Sequence, residues 1–293
     1  MNLKRSVLKR FVALSQALGY RTTPILPFAD LENFFNLVRP VETQCPLVRI
    51  GGHGDGGYLL PDDFSGISVC FSPGVGPTSA FEEDLAGRGI KSFLADYSVD
   101  KPASENAMFH FEKKFIGSYH DDKQMTLESW VNRNHADSSD LILQMDIEGN
   151  EYEVISHASQ ELLTRFRIIA IEFHELDELF CSFGLRIIQS AFAKLLKNFS
   201  VVHLHPNNCG CLARFKEYAL PKTGVHLHPN NCGCLARFKE YALPKTMEVT
   251  FLRKDRIVTQ KPQLNFPHVL DEKNTNLLPD IILPPCWYQP APK

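Results

Sequence analysis

Three short apolar runs in this sequence each end in a group of ionisable and amide side chains. They read Gln144-Met145-Asp146-Ile147-Glu148-Gly149, Ala170-Ile171-Glu172-Phe173-His174-Glu175 and His203-Leu204-His205-Pro206-Asn207-Asn208. Carboxylates and imidazoles of this kind can take the proton of a hydroxyl as it attacks an electrophile. Asp146, Glu148, His174 and His205 are therefore the candidate catalytic residues. Carboxylate, imidazole and amide oxygens together could also hold a divalent ion, and they suit Mg²⁺ or Mn²⁺ better than zinc. The pairs His203/His205 and Cys209/Cys211 do not have zinc-finger spacing, so no structural zinc is expected.

A fourth run, Val69-Cys70-Phe71-Ser72-Pro73-Gly74-Val75-Gly76, is a strand that enters a glycine turn. Glycine lets a backbone bend sharply and approach a ligand closely. A helix follows, with Ser79 as its N-cap and Glu82 as the capping-box partner. A dinucleotide site would want a third glycine where Ser79 stands. Glu82, Glu83 and Asp84 favour the helix dipole but would repel a pyrophosphate. S-adenosylmethionine (SAM) carries no phosphate and escapes that repulsion. The next run ends at Asp96, where a carboxylate can accept hydrogen bonds from both hydroxyls of a ribose. Asp96 lies 22 residues beyond Gly74, close to the usual spacing of about 20. Ser72, Gly74, Gly76, Asp96 and Asp146 are the expected SAM contacts. Methyl transfer from a sulfonium is a direct displacement, so such a site must align donor and acceptor.

These residues need a scaffold that gathers strand ends at one edge. The strand candidates are Ser68–Ser72, Lys91–Ala95, Phe115–Ser118, Leu141–Asp146, Ile168–Phe173, Val201–His205 and Met247–Arg253. Helical segments alternate with the first six: Ser79–Gly87, Ser104–Lys114, Thr126–Asn134, Glu151–Leu163 and Phe183–Lys197. That alternation implies βαβ units. The expected fold is α/β, a Rossmann-like, seven-stranded, mostly parallel sheet with helices on both faces and an antiparallel final hairpin strand. Ligands bind such sheets beyond the carboxyl ends of the strands, where the polar groups fall. Residues 1–47 read as a helical extension with a short helix at Asp30–Val38. Residues 48–255 read as the catalytic domain, with a Gly-rich stretch at Gly51–Gly57. Residues 256–293 read as a Pro-rich tail over the surface.

Val202–Thr223 is repeated letter for letter as Val225–Thr246, with Gly224 between them. Two copies cannot build a solenoid, which needs about three units. The first copy continues from a helix and a strand and is expected to supply the penultimate strand. Most of the second copy is expected to be a poorly fitted excursion in a loop that tolerates insertion.

The bulk composition excludes several classes. A chain of 293 residues, 44% of them apolar, can bury one sizeable core. A formal charge of -3 without a long basic stripe gives no reason to expect nucleic acid. Eight cysteines in this length are not a dense disulfide framework, and Cys70 reads as core. Near the start, Lys4, Arg5, Lys9 and Arg10 surround only a short apolar stretch, Phe11–Leu14. That is too short for a secretion signal or a membrane span. Leu3, Val7, Leu8, Phe11, Leu14 and Leu18 fall at helical spacing, so Met1–Tyr20 reads as a helix packed on the domain. Peripheral membrane contact by that helix is the alternative. The expected location is cytoplasmic, and no feature sets an oligomeric state.

Leu143-Gln144-Met145-Asp146-Ile147-Glu148-Gly149-Asn150-Glu151-Tyr152 resembles the D-I-E-G-x-E-Y motif of FkbM-type methyltransferases. Phe115 through Trp130 resembles the segment that precedes it there, and Ile171–His174 the strand that follows. The resemblance spans about residues 48–255. It implies SAM-dependent O-methylation of a small-molecule or glycan hydroxyl. Gly74, Gly76 and Asp96 would then hold SAM, and Asp146 and Glu148 would lie on the site floor. An NAD-type oxidoreductase and a non-catalytic protein impaired by the duplication are the rival readings.

Overall fold

A computed structural model of the chain describes residues 10, 13–14, 27–209, 235–238 and 241–290. After a helix at Phe28–Val38 come β1 (Val41–Thr43), β2 (Leu47–Ile50), β3 (Tyr58–Pro61), β4 (Val69–Pro73), β5 (Lys91–Ala95), β6 (Phe109–Glu112), β7 (Phe115–Gly117) and β8 (Gln124–Thr126). Then follow β9 (Leu141–Met145), β10 (Phe166–Phe173), β11 (Phe199–Pro206), β12 (Leu235–Phe238), β13 (Tyr241–Pro244), β14 (Met247–Arg253) and β15 (Gln260–Pro262). Seven of these form one sheet in the order β11-β14-β10-β9-β4-β5-β6. Strands β4, β5, β6, β9 and β10 pair in parallel, and β14 runs antiparallel to both β10 and β11. The chain order reverses at β4, so the point where such sheets bind ligands falls at the carboxyl ends of β4 and β9.

Side chains alternate between the two faces of this sheet. One face carries Phe71, Leu143, Ile169, Ile171, Phe173 and Phe251, and packs with Phe34, Val154 and Phe192 from three helices. The other carries Cys70, Ile142, Ile168, Ala170 and Leu252 under Tyr58, Leu60, Phe81 and Leu85. Toward the carboxyl ends this second face turns polar, with Ser72, Gln144, Glu172, Glu248, His203 and His205 all buried. Both faces of β9 and β10 are covered, and every residue of the two strands is buried.

The third strand differs from expectation. Ser104–Lys114 is not a helix, since Phe109-His110-Phe111-Glu112 pairs in parallel with β5 at the sheet edge. Its alternating aromatics suit a pleated edge better than a helix. Phe115–Gly117 lies outside the main sheet and pairs with β8. The single helix expected over Glu151–Leu163 is two, Glu151–His157 and Gln160–Arg165. Ala158 closes the first, and Ser159 caps the second, its hydroxyl accepting the Leu162 N–H at 3.0 Å.

The C-terminal tail joins the same core. The tail is more than a surface wrap, because β15 pairs with β1 and Trp287 is fully buried against Phe34 and Phe35. The amphipathic segment expected over Met1–Tyr20 lies almost wholly outside the described residues. Among the described residues, no helix is long and apolar enough to cross a membrane.

The fold draws on both copies of the duplicated segment. Strand β11 runs from Phe199 into Val202–Pro206 of the first copy, as expected. The second copy is not merely an excursion, since its Tyr241, Ala242 and Leu243 are buried in β13 and lead into β14. Deleting residues 210–232 removes no described residue and restores a single copy of the repeat. The expected result is an unchanged far-ultraviolet spectrum. Stability should rise by roughly 1–2 kcal/mol, because a shorter connection costs less closure entropy. A lower urea midpoint would show instead that the extra copy is integral to the fold.

Candidate functional site

The glycine turn is wedged between two strand ends. Gly74 has φ 93°, and its N–H donates to Ala95 O at 3.0 Å. The Asp146 N–H donates to Pro73 O at 3.1 Å. A Cβ on Gly74 would lie 1.6 Å from Asp146 O, so close backbone approach requires glycine here. Around Gly76 a Cβ would meet no heavy atom within 4 Å, which leaves open space beside the turn. The Asp96 carboxylate ties the turn to the end of β5. Its Oδ2 accepts the Val75 N–H at 3.0 Å, and its Oδ1 accepts the Ser98 N–H at 2.6 Å and the Ser98 hydroxyl at 2.7 Å.

Ser72 points into the sheet. Its hydroxyl lies 2.5 Å from Glu82 Oε1 and 2.6 Å from Gln144 Oε1, and the Gln144 amide donates to the Tyr58 hydroxyl at 3.1 Å. The expected capping box is absent, because Ser79 makes no side-chain cap bond and Glu82 is turned inward. Burial raises the Glu82 carboxyl above its usual range, and the Ser72 hydrogen bond opposes this.

Asp146, Glu148 and His174 meet at the ends of β9 and β10, with one ligand-type atom from each lying within 4.8 Å of the others. Glu148 has φ 55° and Gly149 φ 106°, two successive left-handed residues that fold the loop back over the strand end. Glu151, which is fully buried, gathers the loop. Its Oε1 accepts the Ile147 N–H at 3.3 Å and the Gly149 N–H at 3.0 Å, and it also holds His174 Nδ1 at 3.0 Å. The other ring nitrogen of His174 faces Glu148 Oε2 and Glu172 Oε1, each at 3.5 Å, and Asp146 Oδ1 at 3.9 Å. Asp146 Oδ1 is buried without a hydrogen-bond partner, although about a third of the side chain (35%) is exposed.

Acids outnumber cations in this cluster. Burial pushes the Asp146 carboxyl up to about 7 against the pull of His174, aided by Glu148, Glu151 and Asp55. Burial, then Asp146, Glu248 and Asp55, raise Glu172 well above the carboxylate range. Burial alone would lower His174, but the Glu151 hydrogen bond and charge, with Asp146 and Glu148, lift it to about 9.

His205 stands apart from this cluster. In register across the sheet, Glu172 pairs with Glu248 and Glu248 with His205. The His205 Nδ1 lies 3.3 Å from Glu248 Oε2. Burial would lower this imidazole too, but Glu248 lifts it to about 9. Both histidines therefore sit above the ordinary imidazole value of 6.5. Their stabilisation is complete below that pH and is lost as pH rises to about 9. Stability should fall across this window by an amount on the order of 2 kcal/mol after allowance for screening, read as a lower melting temperature. His174→Gln and His205→Gln should each flatten the fall, and a flat wild-type profile would contradict the assignment.

The tail clasps the neighbouring polar residues. His203 Nε2 lies 2.8 Å from Asp271 Oδ1, with both side chains buried. The Asn208 amide donates to Thr275 O, Leu278 O and Pro279 O and accepts the Thr275 N–H, so Asn208 is spent on the tail and not on a ligand. Asn274 donates to Glu248 Oε1 at 2.6 Å and to Asp55 Oδ1 at 3.3 Å. Asn207 bridges Glu172 Oε2 at 2.9 Å and Asp55 Oδ1 at 3.3 Å.

Glu151, Glu172, Glu248, Asp55, Asn207 and Asn274 thus join the site although sequence reasoning did not assign them roles. Glu172 and Asn207 already stand in the polar runs, Glu151 in the D-I-E-G-x-E-Y segment and Asp55 in the Gly-rich stretch. Asn274 has no local signal at all.

The sequence profile of one family, described as Methyltransferase FkbM domain, matches residues 39–205. That span holds the glycine turn, Asp96 and the Asp146–Glu148–His174 cluster. It leaves out β14 and the tail, and with them Glu248 and Asn274. No curated protein matches the chain.

Proposed function

The chain belongs to the FkbM methyltransferase domain family, and from that premise we propose that it is a SAM-dependent O-methyltransferase. The acceptor is a hydroxyl of a sugar, glycan or natural product, and the compartment is the cytoplasm. The observation that carries this reading is the join at Gly74. There the Asp96 and Asp146 strand ends each hydrogen-bond to the glycine turn, at the point where the sheet order reverses.

The residues present fit SAM. Open space lies beside Gly76. Asp96 has lone-pair capacity left for a ribose hydroxyl, since a carboxylate offers about four sites and three are filled. The surplus of acids around Asp146 suits a cationic sulfonium. When bound, SAM supplies an electrophilic methyl group. Asp146 would accept the proton of the acceptor hydroxyl, because its carboxyl titrates near 7. The His174 ring stands beside Asp146, and Glu151 fixes its orientation.

Titration of one folded preparation with SAM and with NADH tests the reading. SAM should bind and NADH should leave its fluorescence unchanged. NADH binding without SAM binding would replace this proposal with the oxidoreductase.

A further inference from the structure

We infer that Asp146, Glu148 and His174, with Glu172 beside them, form a divalent-cation site on the acceptor side of the cofactor. The assignment deepens the methyltransferase reading but is tested by cation binding alone.

The first argument is spacing. His174 Nε2 is surrounded by Glu148 Oε2 and Glu172 Oε1 at 3.5 Å and Asp146 Oδ1 at 3.9 Å. These separations are too long for good hydrogen bonds. They are close to those of neighbouring ligands on one cation, since bonds of about 2.1–2.4 Å at right angles set ligand atoms roughly 3–3.4 Å apart.

The second is an orphaned acceptor. Asp146 Oδ1 is the carboxylate oxygen that faces His174, and it is buried with no hydrogen-bond partner. A buried acceptor in this condition calls for a ligand or ion.

The third lies behind the cluster. Glu151 is fully buried, holds His174 Nδ1 at 3.0 Å and leaves Nε2 directed at the carboxylates. An outer carboxylate on one imidazole nitrogen is the usual partner of a histidine that binds metal through the other.

The donor set is oxygen-rich with a single nitrogen, which favours Mg²⁺ or Mn²⁺ over zinc. Such an ion would draw the acceptor oxygen toward Asp146 and ease loss of its proton. His205 takes no part, because Glu248 engages it two strands away.

The test is Mn²⁺ titration of the full chain followed by electron paramagnetic resonance. Wild type should bind one Mn²⁺ per chain. Glu148→Gln and His174→Gln should each weaken binding at least ~10-fold, in line with the loss of a ligand or its support. The Glu148 side chain is 86% exposed, so its amide variant should fold normally, and a melting curve checks this. No bound Mn²⁺ up to ~1 mM, the weak end of biological affinities, would overturn the site. Equal binding by both variants would overturn it too. SAM binding without Mn²⁺ binding would defeat this inference alone. Mn²⁺ binding without SAM binding would defeat the methyltransferase reading alone.

Discussion

Gly74→Ala is expected to cost on the order of 4 kcal/mol of stability and to abolish SAM binding. Two effects add. A φ of 93° lies in a region that L side chains rarely adopt and costs of order 1–3 kcal/mol. The new Cβ would also stand 1.6 Å from Asp146 O. That neighbour is backbone and cannot rotate away, so β4 and β9 must separate where Asp146 N–H bonds Pro73 O. Overpacking of this kind costs about 1–3 kcal/mol. Urea denaturation reads the loss as a lower midpoint. Gly76→Ala is the control, because its Cβ meets nothing within 4 Å. It should shift stability by less than ~0.5 kcal/mol. Equal stability of the two variants would show that the turn is not wedged against Asp146.

Asp146→Asn should lower the rate of methyl transfer by about 10²- to 10⁴-fold, the range expected for loss of a general base. The substitution keeps the volume and removes the charge. Stability should not fall with activity. Burial raises the Asp146 carboxyl to about 7, so above that pH its ionised form opposes folding, and the amide relieves the cost. The expected pattern at pH 8 is a slow enzyme that melts no earlier than wild type. Tritium transfer from labelled SAM and a melting curve on the same preparation measure both. Wild-type turnover should rise as pH passes 7, a limb absent from the variant. Full activity in Asp146→Asn would remove Asp146 from the base role.

Local signals carried the strand candidates and the glycine turn. The run from Val69 to Gly76 is short, apolar and ends in glycine, and β4 with its turn lies there. The Gly74–Asp146 contact joins residues far apart in sequence, so no local pattern announces it. The spacing of Glu82 from Ser79 suits a cap, but the pull of the buried Ser72 hydroxyl prevails. Asp84 likewise turns to accept the Gly51 N–H at 2.8 Å. With Glu82 and Asp84 so engaged, repulsion of a pyrophosphate is weaker than the spacing implies. Phe109–Glu112 carries no clear local signal, because edge pairing decides a short aromatic segment more than its own propensity does. The duplicated copies are identical, so only their neighbours in the chain distinguish them. Val201 draws the first copy into β11, and Met247 draws the second into β13 and β14. Asn274 and Asp271 reach the polar mouth through tertiary folding of the tail, which periodicity cannot report.

The central claim is that SAM binds where the glycine turn meets Asp96 and Asp146. Hydrogen–deuterium exchange with and without SAM tests it most directly. Exchange should slow at Gly74–Gly76 and at Asp96–Ser98 and stay unchanged along the separate cleft of about 790 Å³ lined by Gln44, Val202 and His268. Protection confined to that cleft, or none at the two strand-end loops, would contradict the account.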